Sequence, residues 1–396
     1  MTRREALVAA AAATALGGGA LLRPLSARAA ATTNIGVILP LSKPGDFVAG
    51  NNVLKAAQLW VAYVNDNGGV KGRRIALKVY DDKRDPARGA KAVVHAIEKD
   101  HCAMILAGWD SKVVLAEIEE AHRLATPFFV SYAWSPDITK AGYPEVVRIG
   151  PNNDMLTSAF APFMTKRGYK RVAIVAENTP YGQGVGEAIS ESATLAGIDV
   201  TAAAYPRGSH DLRPILSGLL AHKPDALVVA AALAPGTTLA ITQARAAGFT
   251  KDIVLGWDYV DDAFWKATGK HGVGVIWPTF SAPTLRFTDT GTAFKQRFTK
   301  RYKHAPLIYQ ALTWDQLNAW KWAADTAGSV APAAVVPMLP RIDMEGTLGR
   351  ITLSAQPKTV HYNQWEGVTV YFDQAPKKGA TDATAKVLTG IKGSGP

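Results

Sequence analysis

The stretch RVAIVAENTPYGQGVGEAISESATLAGIDVTAAAYPRGSHDLRPILSGLLAHKPDALVVAA, residues 171–231, decides the fold class. Short apolar runs typical of buried strands alternate in it with segments whose apolar residues recur at helical spacing. The predicted strands are 171–176, 198–204 and 226–231, and the predicted helices are 185–195 and 212–221. Strands that alternate with helices of this length form parallel sheets covered by helices on both faces. The stretch therefore predicts a doubly wound α/β unit.

The same alternation runs through the preceding part of the chain. Residues 34–40 read as a buried strand, and Asp85-Pro86 predicts a helix start, with aspartate as N-cap and proline at the first helical position. One sheet with so many strands would be unusual, whereas two lobes fit a chain of 396 residues. Two longer helices, 288–302 and 307–327, and short strands at 349–353 and 367–372 follow.

The N-terminus has the pattern of a secretory signal peptide. A basic start with Arg3-Arg4 precedes an alanine-rich apolar run and the small-residue site Ala27-Arg28-Ala29. The arginine pair resembles a twin-arginine signal, and a general secretory signal is the alternative. We expect residues 1–31 to be removed and the mature chain to be periplasmic.

Composition excludes several classes of protein. The single cysteine, Cys102, rules out an internal disulfide and any multi-cysteine metal site, and it is expected to be a small core residue. The formal net charge is +11, of which residues 1–29 supply +3 through four arginines and one glutamate. The other basic residues are scattered among acids, so no nucleic-acid partner is expected.

Three common catalytic or cofactor-binding motifs are absent from the sequence. Residues 181–186 follow a strand and open a helix, but their glycines have the spacing G-x-G-x-G instead of the dinucleotide-binding G-x-G-x-x-G. The sequence contains neither a G-x-S-x-G elbow nor a phosphate-binding G-x-x-x-x-G-K-[ST] loop. His95 and His101 do not share a helix face. We therefore expect no cofactor, no metal and no enzyme activity.

Several segments resemble the branched-chain amino-acid-binding family of periplasmic solute-binding proteins, which serve ABC importers. They are 35–41, 65–73, 80–86, 138–144, 181–184, 224–226 and 243–248. The resemblance implies two Rossmann-like lobes joined by three crossover strands, with the ligand between them. It places lobe 1 at 32–148 plus 275–338, lobe 2 at 149–274 plus 339–375, and a flexible tail at 376–396.

The resemblance also implies which residues bind the ligand. Ser111 matches the serine that binds the ligand carboxylate at a helix start, and Ala133 and Ser135 match the following loop. Tyr181 matches a tyrosine that packs on the ligand, and Asp258 matches the acid that pairs with the ligand ammonium.

This sequence departs from the family pattern at two positions. Leu233 replaces a tyrosine and removes a hydroxyl. Asp110 stands beside the carboxylate pocket, where it would repel a carboxylate unless it turns away to pair with Lys112. The expected cleft is also rich in aromatic residues, which suggests a flat or aromatic ligand or a cation. These residues are Phe47, Trp109, Trp134, Tyr181 and Trp257.

The expected function is therefore capture of a small molecule by closure of two lobes. The ligand is expected to be an amino acid, aromatic acid, amide or amine, delivered by a monomer to the permease of an ABC importer. A ligand sensor of the same fold is one alternative. An exported hydrolase or oxidoreductase is the second, although the motifs for it are missing.

Overall fold

The computed structural model describes residues 31–392, except 45, 232–233, 258–259, 283, 355–358 and 360. The predicted signal peptide, apart from Ala31, and the predicted site residues Leu233 and Asp258 lie outside the described residues. Residues from Thr32 onward form one compact unit, and everything below concerns that unit.

The strands form two large sheets and one small ribbon. The first sheet has the order β13-β5-β4-β3-β1-β2 and is entirely parallel. The second has the order β15-β14-β10-β9-β8-β6-β7, and only its pairs β10–β14 and β14–β15 are antiparallel. The strands are β1 Thr32–Leu39, β2 Arg74–Asp81, β3 Cys102–Ala107, β4 Phe128–Val130, β5 Val146–Ile149, β6 Arg171–Asn178, β7 Asp199–Pro206, β8 Ala226–Ala230, β9 Asp252–Leu255, β10 Ile276–Thr279, β11 Asp343–Glu345, β12 Arg350–Thr352, β13 Gln364–Trp365, β14 Thr369–Gln374 and β15 Lys386–Lys392.

Helices connect most of the strands and cover the sheets. They are α1 Phe47–Asp66, α2 Pro86–Glu98, α3 Ser111–Arg123, α4 Asp137–Lys140, α5 Asn153–Ser158, α6 Phe160–Arg167, α7 Pro180–Leu195, α8 Arg213–Ala221, α9 Ala234–Ala246, α10 Asp262–Thr268, α11 Asp289–Tyr302, α12 Ile308–Ala327 and α13 Pro332–Val335. The helix start predicted at Asp85-Pro86 is confirmed, because Asp85 Oδ1 accepts the backbone N–H of Arg88 at 2.8 Å. None of the described helices is long and apolar enough to span a membrane.

The predicted fold class is confirmed. Strands β1–β5 belong to the first sheet and β6–β10 to the second; β13 returns to the first, and β14 and β15 lie in the second. The chain therefore passes between the sheets three times, after β5, β10 and β13. These passages correspond to the three expected crossovers, and they join a parallel sheet and a mostly parallel sheet into a two-lobed architecture.

Three segments differ from the sequence-based expectation. The strand Ile276–Thr279, expected in lobe 1, pairs with β9 and β14 in the second sheet. Conversely, Gln364–Trp365, expected in lobe 2, pairs with β5 in the first sheet. The tail expected to fray contains β15, whose pairing satisfies backbone groups that β14 would otherwise expose as an edge strand. Pairing with neighbouring strands decides these placements, and the hydrophobic pattern of a segment does not specify its pairing partner.

The core beneath the first sheet brings together two helices that are far apart in the sequence, α1 and α12. Trp60 of α1 and Trp320 of α12 are both fully buried, with ring centroids 6.4 Å apart in an edge-to-face arrangement. Trp60 Nε1 donates to Asn318 Oδ1 at 2.9 Å, which satisfies its buried N–H. Cys102 is buried as predicted, and its burial raises the pKa of the thiol to about 12.

Candidate ligand-binding site

Two neighbouring loops of the first sheet bring the predicted polar residues together. Ser111 begins α3 after β3, and Ala133 and Ser135 follow the adjacent strand β4. The Ser135 N–H donates a hydrogen bond to Ser111 Oγ at 3.1 Å. This pair lies at a helix N-terminus, where free N–H groups and the helix dipole favour a negatively charged group.

Asp110 caps α3. Its Oδ1 accepts the backbone N–H of Lys112 at 3.0 Å, and its Oδ2 accepts from Arg84 Nε at 2.7 Å. The contact with Lys112, one of the two alternatives, is made through the backbone N–H, and the cation that pairs with Asp110 is Arg84, from the turn after β2. Because both carboxylate oxygens are engaged, the negative charge of Asp110 is compensated within the chain.

Aromatic side chains form a continuous series of ring contacts beside these loops. This aromatic cluster consists of Trp109, Tyr132, Trp134, Trp257, Phe280 and Tyr309. Trp109 stacks on Tyr132 with centroids 5.1 Å apart, and the ring of Tyr309 contacts both. Tyr132 meets Trp134 at 5.1 Å. The predicted Trp109 and Trp134 thus belong to one cluster. The sequence analysis did not predict three other members of it, Tyr132, Phe280 and Tyr309.

The contact between Trp134 and Trp257 joins the two sheets. Trp134 follows β4 of the first sheet, and Trp257 follows β9 of the second. Their centroids are 4.1 Å apart and their planes are perpendicular, at 89°. Phe280, which follows β10, contacts Trp134 at 5.4 Å. Loops of both sheets therefore meet through aromatic rings.

Two predicted aromatic residues differ in their surroundings. Tyr181 lies in the first turn of α7 and is partly buried against the core. Phe47 begins α1, is 39% exposed, and makes no ring contact with the aromatic cluster within the described residues. The structure thus gives Phe47 no part in that cluster.

Arg148 is a site residue that sequence reasoning missed. It lies on β5, is 1% exposed, and its guanidinium donates to the carbonyl oxygens of Ala133 and Ser135 at 3.2 and 2.8 Å. The signal in the sequence was a charged residue inside the apolar strand Val146–Ile149. Tyr309 offered no such signal, because it reaches the cluster from α12, far along the chain.

A family model described as "Periplasmic binding protein" matches residues 32–382. The chain belongs to the periplasmic binding protein family. This is a family of solute-binding proteins, and its name places its members in the periplasm. Within the described residues, no group of three or more His, Cys, Asp or Glu side chains is arranged to hold a metal ion.

Known proteins similar to this periplasmic binding protein agree on the fold. The Leu/Ile/Val-binding protein BraC3 of Rhizobium johnstonii is 28% identical over 199 residues, 49% of this chain and 53% of the relative, so the match spans about half of that relative. A branched-chain amino-acid ABC transporter periplasmic ligand-binding protein of Burkholderia xenovorans superposes with a TM-score of 0.78 at 18% identity, covering 91% of this chain and 96% of the other. A solute-binding protein of R. palustris in complex with benzoate superposes with a TM-score of 0.71 at 19% identity, covering 91% and 96%.

Gly182, the first glycine after Tyr181, is required by close packing at the start of α7. A Cβ added at Gly182 would lie 2.3 Å from the carbonyl oxygen of Glu177 and 2.9 Å from that of Ala230. A Cβ added at Gly184, two residues further along the same helix, would meet nothing within 4 Å. Gly182 therefore lets the helix approach the carboxyl ends of β6 and β8.

This difference predicts opposite effects of two alanine substitutions. We expect Gly182→Ala to lower the free energy of unfolding by about 2 kcal/mol, because backbone atoms must shift to admit the methyl group. Gly184→Ala is the matched control and should be neutral or stabilising by roughly 0.5–1 kcal/mol, because alanine favours the helix. Urea unfolding of both variants measures this; equal effects would contradict the packing role of Gly182.

Proposed function

We propose that this periplasmic binding protein captures a small molecule between the loops of its two sheets and delivers it to the permease of an ABC importer. The observation that carries the proposal is the Trp134–Trp257 contact, in which a loop of each sheet contributes one ring. Ligands of open parallel sheets bind beyond the carboxyl ends of the strands, where both loops lie.

The polar end of the ligand would bind at the first sheet. Ser111 Oγ accepts from the Ser135 N–H, so its own hydroxyl proton remains available to donate to a ligand oxygen. Compensation of Asp110 by Arg84 removes the main argument against a ligand carboxylate there. By the family resemblance, Asp258 would pair with a ligand ammonium and Tyr181 would pack on the ligand.

The remainder of the ligand would pack on aromatic surface. The cluster offers ring faces and edges to an aliphatic or aromatic group. Relatives are named for leucine, isoleucine and valine, and one similar structure holds benzoate. We therefore infer that the ligand is an α-amino acid or an aromatic acid. We also propose that the protein is a monomer, that it is exported through the twin-arginine route, and that it does not convert its ligand.

A thermal-shift screen tests this proposal. The chain from residue 32 onward is unfolded and refolded to remove any carried-over ligand, then heated with branched-chain and aromatic amino acids, benzoate, amides and quaternary amines. A ligand at one hundred times its dissociation constant should stabilise the protein by about 2.7 kcal/mol. The expected hit is an amino acid or aromatic acid. No shift with any compound, in protein that refolds cooperatively, would contradict the proposal.

A further inference from the structure

Arg148 is a buried cation whose hydrogen bonds all end on neutral groups. Besides the two carbonyl oxygens of the loop after β4, its Nε donates to Gln364 Oε1 at 2.5 Å and its Nη2 donates to Thr139 Oγ1 at 3.2 Å. Gln364 is itself 1% exposed and donates to the carbonyl oxygen of Gly150 at 2.7 Å. The guanidinium is thus fixed in position by several elements of the first sheet.

The charge of Arg148 is not neutralised by a contacting acid. Within the described residues it forms no ion pair, and the acid whose field reaches it is Asp154, on the exposed face of α5. Burial lowers the pKa of Arg148 to about 9, which keeps the group charged at neutral pH. Because a buried charge with no contacting counterion is weakly screened, its positive field extends from this strand into the adjacent loop.

The hydrogen bonds of Arg148 also orient that loop. In a trans peptide the C=O and N–H of one unit point in opposite directions. Because the Ala133 carbonyl points at Arg148, the Trp134 N–H points away from it. These two loops contain two further hydrogen-bond donors. One is the Ser111 hydroxyl, and the other is Trp134 Nε1, which has no partner among the described residues. The guanidinium therefore holds the Ala133 carbonyl inward and leaves the Trp134 N–H facing the other side of the loop.

We propose that Arg148 is a positioning residue that makes the site select ligands with an anionic end group. This inference rests on the proposed function and deepens it, because it names a residue outside the ligand contacts that sets the preference for an anionic group beside Ser111. Arg148 itself touches the loop and not the ligand. Its field and its orientation of the Ala133–Trp134 peptide together favour a carboxylate over the corresponding neutral amide.

Two matched ligand pairs test the proposal: L-leucine with L-leucinamide, and benzoate with benzamide. Calorimetric titration gives the ratio of affinities, acid over amide, for the refolded protein and its variants. In the wild type we expect one acid to bind at least about tenfold more tightly than its amide. Arg148→Gln should bring that ratio close to one. Arg148→Lys, which keeps the charge but not the planar fork, should weaken both ligands and preserve the preference.

The control is Arg350→Gln, which removes an exposed arginine paired with Asp343 on the β11–β12 ribbon and should leave the ratio unchanged. If Arg148→Gln fails to fold, Arg148→Lys alone tests the inference, because loss of the preference for the acid in that variant would contradict the role of charge.

An acid-to-amide affinity ratio that is unchanged in Arg148→Gln, while both affinities fall, would show that Arg148 has only a structural role. Binding of amides or amines but of no acid would overturn this inference and leave the proposed function standing; binding of nothing would overturn both.

Discussion

Replacing Trp134 by alanine is expected to weaken ligand binding about thirtyfold or more, the size of a loss of roughly 2 kcal/mol at an aromatic hot spot. Trp134 contacts Tyr132 at 5.1 Å, Phe280 at 5.4 Å and Trp257 at 4.1 Å. Its removal separates the ring surface of the first sheet from that of the second. Both the contact area for the ligand and the contact that favours approach of the two sheets are then lost.

The matched control is Trp322→Ala. Trp322 is a partly buried residue of α12 that packs against the core outside the aromatic cluster. Its replacement should lower stability but leave the dissociation constant within about twofold. Calorimetric titration with the best compound of the thermal-shift screen measures both variants. Equal loss of affinity in the two would show that Trp134 acts through general stability and contradict its place in the site.

Replacing Asp315 by alanine is expected to lower the free energy of unfolding by about 3 kcal/mol or more, because it leaves buried donors of Thr347 without an acceptor. Asp315 lies on α12 and is 0% exposed. It accepts the Thr347 N–H at 2.9 Å and the Thr347 hydroxyl at 2.6 Å. The Thr347 carbonyl in turn accepts the Thr288 N–H at 3.0 Å, at the start of α11.

Asp315 also predicts a pH dependence with a definite sign. Burial raises the pKa of this carboxyl to about 7 in the folded protein, against the opposing effect of its Thr347 hydrogen bonds. The folded state therefore holds the proton more tightly than the unfolded state, whose pKa is 3.8. The stabilisation of the folded state by its tighter hold on this proton is fully present below about pH 4. It is lost as the pH rises to about 7.

Asp315→Asn isolates this effect, since it keeps an acceptor for the Thr347 N–H and does not titrate. Over pH 4 to 7 its unfolding free energy should fall less than that of the wild type, measured by urea unfolding. Asp373 is buried and has a pKa raised to about 7 by burial, so its parallel contribution cancels in the comparison. Identical pH profiles for the two proteins would contradict titration of Asp315 in this range.

Much of the fold followed from local patterns. The predicted helix 307–327 is α12, Ile308–Ala327, and the Asp85-Pro86 pair starts α2 as a capped helix. Consecutive βα units are built from contacts close in sequence, so propensity and hydrophobic period specify them.

The elements that local sequence did not reveal are those fixed by distant partners. Gln364 and Trp365 form a strand only because β5 offers an edge at Arg148 and Ile149. Likewise, Ser111 and Ser135 could be placed from the family pattern, whereas Tyr309 and Phe280 enter the cluster from elements far away in the chain. Arg148 was visible as a charge in an apolar strand, but its partners were not.

Hydrogen exchange with and without bound ligand tests the central claim most directly, since it reports on both sheets in one experiment. We expect ligand to slow exchange of backbone amides in the loops after β3 and β4 of the first sheet, including Ser111 and Ser135. We expect simultaneous protection in the first turn of α7, at Tyr181, and after β9, at Trp257, in the second sheet. Protection confined to one sheet, or located outside all four loops, would contradict capture of the ligand between them.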